Sequence, residues 1–79
     1  MSERPFTLEQ AAEFLGSSTR TLGERARKRQ IPHRRPPYGR RLLFYPSELS
    51  AWLDGAPLEV LELPGGGRSV RPVTGSRPA

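Results

Sequence analysis

Apolar residues fall in three periodic stretches. Leu8, Ala11, Ala12 and Leu15 recur at i, i+3, i+4 and i+7, which predicts a short helix with one buried face. Thr7-Leu8-Glu9-Gln10 reads as a capping box, with Thr7 as N-cap and Gln10 reaching back, and Gly16 ends the helix. Ser18 is the next N-cap candidate, opening a helix from Thr19 to about Lys28. Its inward side is Leu22 and Ala26, with the aliphatic stem of Arg25 beside them. Ile31-Pro32 stops that helix and returns an apolar side chain to the core. From His33 the period shortens to two. His33 to Pro36 and Arg41 to Tyr45 read as strands of a hairpin around Pro37-Tyr38-Gly39-Arg40, with Leu42 and Phe44 inward and Arg41 and Leu43 outward. Pro46 suits the first position of a third helix, Glu48 favours its positive end, and Leu49, Trp52 and Leu53 form its stripe. Asp54-Gly55-Ala56-Pro57 closes it. The order is helix, helix, hairpin, helix, a small α+β unit whose core is completed by Phe6.

Past Pro57 the pattern thins. Leu58, Val60, Leu61 and Leu63 suit either a short strand or an extra helical turn, and Pro64-Gly65-Gly66-Gly67 is a breaker. Residues 64–79 are rich in Gly, Pro, Arg and Ser and are expected to be disordered when free. The expected division is a folded unit over residues 1–57 and a flexible, candidate partner-binding C-terminal tail over 58–79.

Composition narrows the chemistry. A chain of 79 residues has room for one small domain, and with no cysteine its core must stand on apolar packing. His33 is the only histidine, so the usual four-ligand zinc site is not expected. There is no apolar run of membrane-spanning length and no signal-peptide core at the start, which predicts a cytoplasmic protein. Paired carboxylates, Ser-His or Cys-His sets and a Gly-rich phosphate loop are all missing, so neither enzymatic activity nor a cofactor is expected. Thirteen cations against eight anions give a net charge of +5, and twelve of the cations are arginine. Residues 20–41 hold nine cations and one anion, whereas the rest of the chain holds four cations and seven anions. A basic segment within an acidic remainder points to double-stranded DNA as partner.

Residues 8–26, LEQAAEFLGSSTRTLGERA, resemble the helix-turn-helix pattern. Small Ala11 and Ala12 let a second helix cross closely, Gly16 makes the turn, Leu15 and Leu22 pin the pair, and Ser18 caps the helix that would enter the major groove. FTLEQAAEFLGSSTRTL, then Ile-Pro, then GRRLLFYPSELSAWL, is similar to the excisionase family of MerR-like winged-helix proteins over roughly residues 6–54. The resemblance implies a winged helix-turn-helix fold and a recombination directionality factor. Such a factor, monomeric when free, binds adjacent DNA sites beside copies of itself, bends the duplex and helps recruit a tyrosine integrase in a bacterial or phage nucleoid. The alternative is a small MerR-like transcriptional regulator. Several positions depart from the pattern. Ser17 replaces Val or Ile, Arg25 replaces a second apolar residue, Arg29 occupies the usual C-cap glycine position, and Gly23 and Glu24 replace aromatic or basic residues.

The candidate DNA contacts lie in two groups. Ser18, Thr19, Arg20 and Thr21 at the helix N-terminus suit phosphate or base contact, with Arg20 placed to read guanine in bidentate fashion. Glu24 either accepts from a cytosine amino group or orients a neighbouring arginine, and Arg27 and Lys28 share the face opposite Leu22 and Ala26. Arg34, Arg35, Arg40 and Arg41 decorate the hairpin and suit a wing on the backbone or in the minor groove. Tyr38 at its tip either stacks or is a plain turn residue, and His33 is read as an ordinary strand residue.

Overall fold

A computed structural model describes residues 3–37 and 41–73; Tyr38, Gly39 and Arg40 lie outside the described residues. Three helices and a three-stranded antiparallel sheet form a small α+β unit: α1 Leu8–Leu15, α2 Thr19–Arg27, β1 His33–Arg35, α3 Pro46–Leu53, β2 Leu58–Glu62 and β3 Arg68–Pro72.

The helical half follows its local signals. The Thr7 hydroxyl accepts from the Gln10 amide at 3.2 Å, and the Gln10 side chain accepts from the Thr7 amide at 3.0 Å, completing the capping box. Gly16 adopts φ 68°, and Ser17 N–H donates to the Ala12 carbonyl at 2.9 Å, so α1 ends in a left-handed cap. Ser18 then caps α2 by accepting from the Thr21 amide at 3.1 Å. At the far end of α2, Arg29 N–H donates to Ala26 O at 3.0 Å and Gln30 N–H to Arg25 O at 2.9 Å. This Schellman closure requires a left-handed residue, and Arg29 supplies it at φ 59°, where a non-glycine residue costs about 1 kcal/mol.

Ala11, Ala12, Leu22, Ala26, Ile31, Phe44 and Leu49 make the buried core, flanked by Phe6, Leu8, Leu15, Leu42 and Trp52. The alanines let α1 and α2 approach closely, and Phe44 is fully buried in the same cluster. Leu53 does not belong to this core: it is 60% exposed. α3 spans eight residues and buries only Leu49 fully, while Trp52 and Leu53 line a hollow with Leu15, Leu22 and Ile31.

The sheet departs further from expectation. The hairpin partner expected over Arg41 to Tyr45 is reduced to two bridges: Leu43 exchanges hydrogen bonds with Arg34 at 2.8 and 3.0 Å, and Phe44 pairs with Phe6. Pro36 and Pro37 carry no N–H, so the ladder cannot extend toward the tip. The other edge of β1 is taken by β3, which lies between β1 and β2. The flexible tail expected from residue 58 is therefore corrected over residues 58–72, which form the β2–β3 hairpin. Pro64-Gly65-Gly66-Gly67 serves as its turn, with Gly65 at φ 85° and Gly66 at φ 101°. Val70 pairs with His33 on one side and Val60 on the other and is fully buried, so β3 completes the core. Residues 74–79, also expected to be disordered, lie outside the described residues.

Candidate nucleic-acid interface

Burying Leu22 and Ala26 turns the rest of α2 to solvent, and Thr19, Arg20, Thr21, Glu24, Arg27 and Lys28 are all exposed. Arg20, Glu24 and Arg27 follow at i, i+4 and i+7 and share one helical face. Thr21, Glu24, Arg25, Lys28 and Gln30 line a shallow open hollow beside it. The Ser18 cap satisfies the Thr21 amide, whereas helix geometry gives the Thr19 and Arg20 amides no internal partner. No acid occupies the first turn, so the positive end of the helix dipole is left for an external anion. Ser18 serves through its capping oxygen, and its hydroxyl also donates to Thr21 Oγ1 at 3.0 Å.

The hairpin arginines separate according to strand phase. Arg41 is exposed and Arg35 is half-buried on the His33 face of β1. Arg34 points to the opposite face, where it donates to Glu48 of α3 and stacks over the Tyr45 ring at 4.9 Å. It lines a groove of about 510 Å³ with Glu48, Glu59 and Arg71. Burial raises the Glu48 carboxyl above its ordinary range even though Arg34 pulls it down. Arg34 is thus committed within the fold, and its expected place on the wing surface is corrected: alternation along β1 cannot present Arg34 and Arg35 on one side. Arg40 and Tyr38 lie outside the described residues.

A buried polar cluster joins the wing strand to α2. His33 is fully buried; its Nδ1–H donates to the Ile31 carbonyl at 2.8 Å, and its Nε2 accepts from Arg68 Nε–H at 3.0 Å. Burial holds the imidazole below its ordinary pKa, opposed by the Ile31 hydrogen bond and assisted by the charges of Arg68, Arg29 and Arg35. Arg68 also donates through Nη2 to the Ala26 carbonyl at 3.3 Å. Arg29 pairs with Glu62 at 3.4 Å across the surface. The positions absent from the expected site are therefore Arg29 and Arg68. The signal for Arg29 was its place at the usual C-cap glycine position of α2, and the signal for Arg68 was a β-prone run on each side of Pro-Gly-Gly-Gly, which is compatible with a hairpin as well as with a chain break.

An exposed basic helix opened by a tight glycine turn, with a cationic strand at its C-terminal end, is an arrangement suited to the DNA major groove and backbone. A family model described as a helix-turn-helix domain matches residues 6–57, most of the chain. The protein belongs to the helix-turn-helix domain family. No curated protein and no solved structure gives a match. As a helix-turn-helix protein it binds DNA, with α2 in the position of the recognition helix. None of its described helices is long and apolar enough to cross a membrane. The family match stops at Pro57, so the β2–β3 hairpin is structure added beyond the matched module.

Proposed function

We propose that the protein is an excisionase-type architectural factor, which reads attachment-site DNA and bends it so that a tyrosine integrase is directed toward excision. One observation carries this reading. MerR-like regulators pair their subunits through a long helix following this module, whereas here the chain leaves α3 and folds back as the β2–β3 hairpin against the wing strand. The residues that would begin a dimerising helix are spent on the sheet of the same unit, which suits a monomer that binds beside neighbouring copies on DNA. In this reading Thr19, Arg20 and Thr21 meet the major groove and its phosphates, and Glu24, Arg27 and Lys28 flank them. Arg35 and Arg41 lie along the backbone and minor groove, and Tyr38 and Arg40, outside the described residues, are assigned to the same contact.

The test is made on the attachment-site duplex of the element that encodes the protein. Footprinting should show adjacent protected sites, a circular-permutation gel should show a bend, and excision by the partner integrase should rise on adding the protein. Arg20→Ala should weaken specific binding by about 1–3 kcal/mol and leave binding to random duplex nearly unchanged. Protection confined to a promoter, on unbent DNA and without effect on excision, would establish the small transcriptional regulator instead.

A further inference from the structure

One guanidinium touches three elements. Arg68 projects from β3 with only 8% of its surface exposed. Its Nε–H donates to His33 of β1 at 3.0 Å and its Nη2 to the Ala26 carbonyl in the last turn of α2 at 3.3 Å. The histidine is held in the tautomer that can accept, because its Nδ1–H is taken by Ile31 O at 2.8 Å. The residue before Arg68 packs against the far end of the same wing strand. A Cβ on Gly67 would lie 2.6 Å from Arg35 O and 2.7 Å from Pro37 N, so the turn of the added hairpin presses directly on the backbone where β1 ends, at Arg35 to Pro37. Arg35, on the wing, and Arg29, at the end of α2, lie close enough that their charges act on both His33 and Arg68.

We propose that Arg68 is a positioning residue for DNA recognition: its planar fork sets the angle between the recognition helix and the wing, and the β2–β3 hairpin is the brace that carries it. The role rests on the DNA-binding reading of α2 and the wing. Burial prevents Arg68 from reaching a phosphate, so it acts only through α2 and β1. A helix-turn-helix protein that must engage a groove and the adjacent backbone together depends on this angle. Non-specific binding, dominated by charge, does not. A fork can satisfy two acceptors in fixed directions, whereas the single ammonium of lysine cannot impose that geometry.

The full chain is used to select binding sequences from a pool of randomised duplexes. The enriched duplex and a scrambled version then serve as probes for the wild type, Arg68→Met and Arg68→Lys, with folding of each variant followed by circular dichroism. Arg68→Lys keeps the buried cation, and so carries the test where Arg68→Met fails to fold. The expected result is a folded Arg68→Lys variant whose preference for the enriched over the scrambled duplex falls about tenfold, with scrambled-duplex affinity within about twofold of wild type. A folded variant with the wild-type preference, or with equal losses on both probes, would overturn the role of Arg68. If the wild type itself enriched no sequence, specific DNA reading by this protein would be overturned before any variant was compared.

Discussion

The two halves of this molecule are held together by different physics. Between α1 and α2 the contact is made by Ala11, Ala12, Leu22 and Ala26, all buried and all apolar, and both ends of each of these two helices are closed by local caps. Between the sheet and the helices the buried groups include His33 and Arg68, and on the opposite face of β1, the face shared with buried Ser69, Arg34 and Glu48 form a part-buried ion pair. Apolar contacts tolerate small slips. Directional bonds among desolvated polar groups do not, because an unpaired buried donor or acceptor costs about 1–3 kcal/mol. The helical half supplies cohesion, and the polar half supplies directional contacts between α2 and β1.

That contrast can be broken most severely in the helical half. Leu22→Ala removes a side chain that is only 1% exposed, and should cost about 2–5 kcal/mol, enough to consume much of the stability of a domain this size. Urea denaturation measures it, and a midpoint unmoved from wild type would mean that α1 and α2 do not share this core.

Gly67→Ala probes the brace. The obstacle is backbone, Arg35 O at 2.6 Å, and cannot swing aside as a side chain would. We expect a loss of about 1–3 kcal/mol, with chemical-shift changes concentrated at residues 33–37 and at Ala26. A neutral substitution would show that the added hairpin is not seated on the wing.

The smallest effect is that of pH. His33 has its folded-state pKa lowered from 6.5, chiefly by burial, so below pH 6.5 the unfolded chain binds the extra proton more readily than the folded one. Its contribution is complete above pH 6.5 and is lost as pH falls through the lower folded value, up to about 1.4 kcal/mol for each unit of pH. Glu48 acts with the opposite sign: its raised folded pKa means that burial of the charge opposes folding, a penalty relieved as pH falls toward the ordinary carboxylate range. Thermal melts from pH 7.5 to 5.5 should decline for wild type and flatten in His33→Gln. An equal decline in both would assign the effect elsewhere.

Legibility in the sequence divides along the same line. The capping box at Thr7, the Gly16 turn, the Ser18 cap and the burden placed on Arg29 are set by residues within a few positions of one another, and each is found in place. The β2–β3 hairpin was hidden because its partner strand is remote: His33 pairs with Val70, and nothing near either residue announces the other. Pro-Gly-Gly-Gly reads equally as a chain breaker or as a turn until a strand is known to pair with the residues beyond it. The hairpin arginines were legible as a group but not individually, since a strand's phase decides which of Arg34 and Arg35 faces Glu48. Arg68 escaped notice for a related reason, being one arginine in a polar stretch whose neighbours come from β1 and α2.

The order of strands also has a consequence in time. β3 sits between β1 and β2, so the wing strand cannot gain its inner neighbour until the chain has been synthesised through Pro72. Local contacts close quickly, and pairings of large sequence separation come late. As the polypeptide emerges, α1 and α2 can already meet through their alanines while β1 still waits for its neighbour. During that interval the recognition helix exists without a fixed bearing, because neither Arg68 nor Val70 has yet been laid beside β1.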